Sequence, residues 1–116
     1  MSDAFTRDGW VISPETVRSR LEKGDASMVL LDCRTQPEFD MGHLPGAVHL
    51  PMQELSLRQD ELDGLQDRDV VIYCRTGRRS RIVARYLTLR GFPCVVSLDG
   101  GLQVWSEKID PSFPWE

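Results

Sequence analysis

This sequence predicts an α/β fold built on a mainly parallel sheet, and three observations carry the prediction. Residues 28–33, 70–73 and 94–98 are short apolar runs with the length and composition of strands buried on both faces. Segments of about ten residues with helical patterning separate them, so strand and helix alternate as in βαβ units. At 116 residues the chain is long enough to bury one continuous core, so a single domain over residues 1–116 is expected. Apolar residues make up 41% and charged residues 28%, which excludes a disordered or fibrous chain.

The elements follow in order. Ser13, Pro14 and Glu15 supply an N-cap, a first-turn proline and a first-turn acid, and Val17 and Leu21 recur at helical spacing until Gly24. The strand at 28–33 comes next, and residues 53–62 read as a helix. After the strand at 70–73, residues 81–89 read as a helix with an apolar stripe of Ile82, Val83, Tyr86, Leu87 and Leu89, stopped by Gly91. The strand at 94–98 follows. Residues 110–116, with Pro111 and Pro114, cannot continue a helix and are expected on the surface, anchored by Phe113 and Trp115. No repeat, low-complexity segment or linker is visible.

The formal net charge is −4 and the pI about 5.1, which argues against a nucleic-acid binder, because neutralising phosphates needs a basic face. Yet residues 74–98 hold six arginines and no acid. Such a cationic block on an acidic chain suits a small anion. Arg85 and Arg90 are assigned to a solvated helix face. The apolar runs are far too short for a bilayer span, and residues 1–20 carry charges where a secretory segment would be apolar. No membrane partner is expected, and the default compartment is a reducing cytoplasm. Three cysteines with no CxxC pair form neither a disulfide framework nor a zinc pattern. His43 and His49 are irregularly placed between prolines, so no metal and no cofactor is expected.

The chemistry falls on Cys74-Arg75-Thr76-Gly77-Arg78-Arg79-Ser80, which follows a buried strand and leads into a helix. In a parallel sheet this is the carboxyl edge, where ligands bind. A cysteine there sits below backbone N–H groups and near the positive end of the next helix, and both favour an anion. With guanidinium groups nearby, Cys74 is expected to be a thiolate nucleophile at neutral pH. Gly77 gives the loop a residue free to take φ > 0, and Thr76 and Ser80 offer hydroxyls to the sulfur. Cys33 and Cys94 sit within apolar runs and are assigned packing roles.

These residues carry a resemblance. The chain resembles a single-domain rhodanese, a thiosulfate sulfurtransferase. Leu31-Asp32-Cys33-Arg34, Glu38-Phe39 and Gly42-His43-Leu44-Pro45-Gly46-Ala47 are similar to the family's N-terminal signature, and residues 74–80 to its active-site loop. Leu98-Asp99-Gly100-Gly101-Leu102 followed by Trp105 is similar to its C-terminal hallmark. The resemblance implies a sheet of about five mainly parallel strands flanked by helices on both faces, as such βαβ folds require. It assigns Cys74 as the sulfur carrier and places Asp32, Arg34 and His43 in structural networks near the site. The family often has an aliphatic residue where this chain has Cys33. Alternation along the strand turns Cys33 away from the face carrying Asp32 and Arg34.

The implied reaction is double displacement: Cys74 attacks the outer sulfur of thiosulfate, sulfite leaves, and the persulfide passes its sulfur to cyanide, a thiol or a thioredoxin-like protein. Arg75 and Arg79 are the candidates for the sulfonate end, with Arg78 weaker. A phosphatase or arsenate reductase on the same fold needs its arginine where this chain has Ser80, so that alternative is disfavoured. A relay or regulatory module without independent turnover is the other alternative.

Overall fold

Ser13 opens the first helix as its sequence predicts, its hydroxyl accepting the Thr16 N–H at 3.2 Å with Pro14 in the first turn. The computed structural model describes residues 11–115; residues 1–10 and Glu116, the last residue of the expected tail, lie outside the described residues. Five strands, β1 (Val11–Ile12), β2 (Met28–Asp32), β3 (Val48–His49), β4 (Asp69–Tyr73) and β5 (Val95–Leu98), form one sheet in the order β1-β5-β4-β2-β3. Every pairing is parallel. The helices are α1 (Pro14–Glu22), α2 (Gln36–Met41), α3 (Leu55–Arg58), α4 (Arg78–Leu89) and α5 (Gly101–Lys108).

Strands β2 and β4 run side by side, from Met28 against Asp69 to Asp32 against Tyr73. Because side chains alternate, this register sorts the core into two layers. Leu31, Cys33, Val70, Ile72 and Cys74 pack with Leu55, Leu62, Val83, Ala84 and Leu87 on one face. Leu30, Val71 and Tyr73 pack with Val17, Leu98, Leu102 and Trp105 on the other. Both faces are therefore covered, as near-continuous apolar strands require. Phe113 and Trp115 pack against the second layer, so the tail is anchored where the sequence suggested.

Three details differ from the sequence reading. Residues 53–62 are not one helix: a 3-10 turn at Met52–Glu54, the single turn of α3 and a second 3-10 turn at Gln59–Leu62 take their place. Only Leu55 and Leu62 of residues 53–62 are buried in the core while Leu57 is exposed, so no continuous apolar stripe holds a longer helix together. Helix α4 begins at Arg78 rather than at residue 81, which places Arg78, Arg79 and Ser80 on its first turn. Its buried stripe is Val83, Ala84 and Leu87; Ile82, 59% exposed, and Leu89, 85% exposed, lie on the outer face. No helix among the described residues is long and apolar enough to cross a membrane.

Candidate active site

Strand β4 lies inside the sheet, and its end falls where the chain turns toward β3 on one side and β5 on the other. Such a divergence opens a crevice at the carboxyl edge. Cys74 is the first residue beyond β4, and Gly77, with φ +97°, is the N-cap of α4. That left-handed conformation curls the loop back on itself, so the Gly77 N–H donates to Cys74 Sγ at 3.1 Å. The Ser80 N–H also points at the sulfur, and Ser80 Oγ lies 3.5 Å from it. Thr76 is exposed and makes no hydrogen bond to the sulfur, so among the described residues the hydroxyl contact is that of Ser80.

The loop carbonyls point the other way. Cys74 O accepts the Leu102 N–H at 3.0 Å and Arg75 O the Gln103 N–H at 2.9 Å, so the first turn of α5 holds them. Gly101, at φ +62°, makes the approach possible, because a Cβ there would lie 2.6 Å from both carbonyl oxygens. Pinning the carbonyls outward leaves the N–H groups inward. The only signal of this in the sequence was the Gly100-Gly101 pair.

Cys33 follows β2 directly, its N–H bonded to Tyr73 O at 3.2 Å, which sets it beside Cys74. Its thiol lies 3.5 Å from Tyr73 O and also faces the Cys74 sulfur. Alternation does turn it from Asp32 and Arg34, and for that reason it shares the face of Cys74. The Cys33 thiol is the largest influence lowering the Cys74 pKa to about 4, joined by the Ser80 hydroxyl and the Ser80 and Gly77 N–H groups against the cost of burial. The Cys74 anion and burial push the Cys33 pKa far up, so Cys33 stays a protonated donor. Packing alone thus understates its part. Cys94, the residue before β5, is half-buried, its pKa raised by burial.

The arginines are less free than the sequence suggested. Arg79 forks onto Glu38 with Nη1–Oε1 2.8 Å and Nη2–Oε2 3.0 Å, and Arg79 is the main reason that the Glu38 pKa falls to about 2. Glu38 also accepts the Thr35 N–H at 2.9 Å, closing the capping box of α2. Arg75 Nε is 4.0 Å from the same carboxylate, and its guanidinium lies over the Trp115 ring at 5.4 Å. Arg78 is exposed. Asp32 and Arg34 form a buried pair on the opposite face of the sheet, while His43 is exposed and stacked on Phe39 at 3.8 Å. Among the described residues no cluster of His, Cys, Asp and Glu is placed to hold a metal ion.

An accessibility-independent test of the anion follows from the pKa of about 4. The rate of Cys74 alkylation by iodoacetamide, corrected for reagent, should stay level from neutral pH down to about pH 5 and fall below it. An ordinary thiol would lose about tenfold per unit across that range.

A buried cysteine sulfur that accepts a backbone N–H at the carboxyl edge of a parallel sheet has the surroundings that favour a thiolate, which is the arrangement of nucleophilic-thiol proteins. The chain belongs to the rhodanese-like family: the model described as Rhodanese-like domain matches residues 13–108. It is 39% identical over 95 residues to a "Sulfurtransferase" of Allochromatium vinosum, covering 82% of this chain and 86% of that one. It is 33% identical over 99 residues to the "Putative sulfur carrier protein YrkF" of Bacillus subtilis, covering 85% of this chain but only 52%, about half, of that protein's length. Among solved structures, the rhodanese-like domain of the Anabaena protein Alr3790 aligns with TM-score 0.75 and 26% identity, covering 90% of this chain and 76% of that one. These two relatives thus bear the names "Sulfurtransferase" and "Putative sulfur carrier protein".

Proposed function

We propose that the protein is a thiosulfate sulfurtransferase that carries sulfane sulfur as a persulfide on Cys74. The Cys74 thiolate attacks the outer sulfur of thiosulfate, the S–S bond of thiosulfate breaks, and its electron pair leaves with sulfite. A thiol, a thioredoxin-like protein or cyanide then takes the terminal sulfur and returns the thiolate. The single observation that supports this most is the N–H cradle at Cys74 Sγ, 3.1 Å from the Gly77 nitrogen. It stabilises negative charge that stays on sulfur through both half-reactions. A reducing cytoplasm, which keeps Cys33, Cys74 and Cys94 as thiols, is the compartment this chemistry suits. Intact mass after thiosulfate treatment, followed by peptide mapping, tests the reading: one added sulfur atom on the Cys74 peptide is expected, and an unmodified Cys74 overturns it.

Arg79 and Arg75 would meet the sulfonate end of thiosulfate, and Glu38 is their present counter-ion. Replacement of Arg79 by alanine should raise the KM for thiosulfate by about tenfold and lower kcat/KM, while discharge of a preformed persulfide keeps its rate. Unchanged kinetics would remove Arg79 from the site. The same Glu38 contact favours a second reading, a relay that accepts sulfur from a protein persulfide, because a carboxylate on both arginines weakens their pull on a small dianion. Loading by a protein persulfide with none from thiosulfate would select it.

A further inference from the structure

Behind the cradle lies a second hydroxyl that the reaction scheme does not use. Ser97, on β5, is fully buried, and its Oγ lies 2.6 Å from Ser80 Oγ, which in turn lies 3.5 Å from Cys74 Sγ. Among the described residues the Ser97 hydroxyl bonds to nothing else, and Ser80 is equally buried. The row Ser97–Ser80–Cys74 therefore has two gaps, each of which takes one hydrogen. With a protonated sulfur the row contains three hydrogens, so whichever way it is polarised one of them finds no acceptor within the row. With an ionised sulfur there are two hydrogens for the two gaps. Ser97 then donates to Ser80, Ser80 donates to sulfur, and every buried hydrogen is placed.

We propose that Ser97 is a positioning residue for Cys74: by donating to Ser80 Oγ it commits the Ser80 hydroxyl to the Cys74 sulfur, so that the site is built around the anion, thiolate or persulfide. The purpose rests on the sulfur-carrier reading of Cys74; the geometry does not. Other groups also act on this sulfur. Arg79 and the positive end of α4 face it from one side and the Cys33 thiol from the end of β2, while Glu38 on α2 faces Arg79. Strand β5 contributes only the neutral Ser97, and α5 binds the loop carbonyls and not the sulfur. Ser97 thus acts on the direction of one hydrogen bond and leaves the charges around Cys74 as they are.

The variants Ser97→Thr and Ser97→Val separate this role from packing, because both add the same bulk and only the first keeps the hydroxyl. Thiolate formation is followed by ultraviolet absorbance and by iodoacetamide alkylation against pH, with circular dichroism to verify folding. The midpoint in Ser97→Val should lie above that in Ser97→Thr by roughly one pH unit. In a Ser80→Ala background, replacing Ser97 should shift nothing further, since the intermediate hydroxyl is gone. Equal midpoints in the two variants, or a Ser97 effect that survives in Ser80→Ala, overturns the proposal. If neither bulky variant folds, Ser97→Ala against wild type reads the same upward shift, and no shift there overturns it. Midpoints that behave as stated in a protein that no sulfur donor loads would leave the role of Ser97 standing and remove the sulfur-carrier reading.

Discussion

The Cys74→Ser variant should fold normally and lose sulfur loading and transfer by at least about a thousandfold. Serine occupies nearly the same volume at a residue only 1% exposed, and its hydroxyl can still accept from Gly77, so the core on the α4 face is retained. What changes is ionisation, because an alkoxide cannot be reached near neutral pH by a cradle that moves a thiol pKa from 9.0 to about 4. Stability should separate the two proteins in a pH-dependent way. The folded-state pKa is depressed, so the contribution of the thiolate is full above the unfolded value near 9 and is lost as pH falls through about 4. Wild type should therefore gain on Cys74→Ser as pH rises between those limits, measured by urea denaturation at several pH values. Retained transfer in Cys74→Ser would place the sulfur elsewhere, and a stability difference flat with pH would mean an ordinary thiol.

What could be read in the sequence was whatever is local. The apolar runs that became β2, β4 and β5, the Ser13 cap and the turn at Gly77 are each decided within a few residues, and each is found where the pattern puts it. The strands β1 and β3, two residues each, and α2, which buries no side chain fully, leave no periodicity to detect. The outward Ile82 and Leu89 show the limit of an apolar count without the angle at which a helix lies on its sheet. The same holds for the site. Cys74 and its loop are contiguous and were legible, whereas the Glu38–Arg79 pair joins residues 41 apart and the Ser80–Ser97 pair residues 17 apart. Cys33 reaches Cys74 through the β2–β4 register, which no single segment encodes.

The largest loss of stability from one side chain should come from Arg34→Met. Arg34 and Asp32 are both 0% exposed, and the guanidinium meets the carboxylate through Nε at 3.0 and 3.1 Å and Nη2 at 2.7 Å. Arg34 Nη2 also binds Gly42 O at 2.6 Å, tying the end of β2 to the end of α2, and the guanidinium lies over the Tyr73 ring at 5.7 Å. Removing the arginine strands a carboxylate in the second core layer and leaves the Gly42 carbonyl without its donor, at a cost of about 3–5 kcal/mol. Replacing both partners, as in Asp32→Leu with Arg34→Met, removes the stranded charge together with its cause, so the double variant should be more stable than Arg34→Met alone. Chemical denaturation of the wild type, both single variants and the double variant measures the coupling. A loss below about 1 kcal/mol in Arg34→Met would mean that water already solvates the pair, against its complete burial. The pair also bears on the chemistry, because Asp32 and Tyr73 are matched in register and the next residues of the two strands are Cys33 and Cys74. Strand ends loosened by the lost pair would let Cys33 drift from the sulfur, so Arg34→Met should raise the pH at which Cys74 becomes reactive, although Arg34 lies on the other face of the sheet.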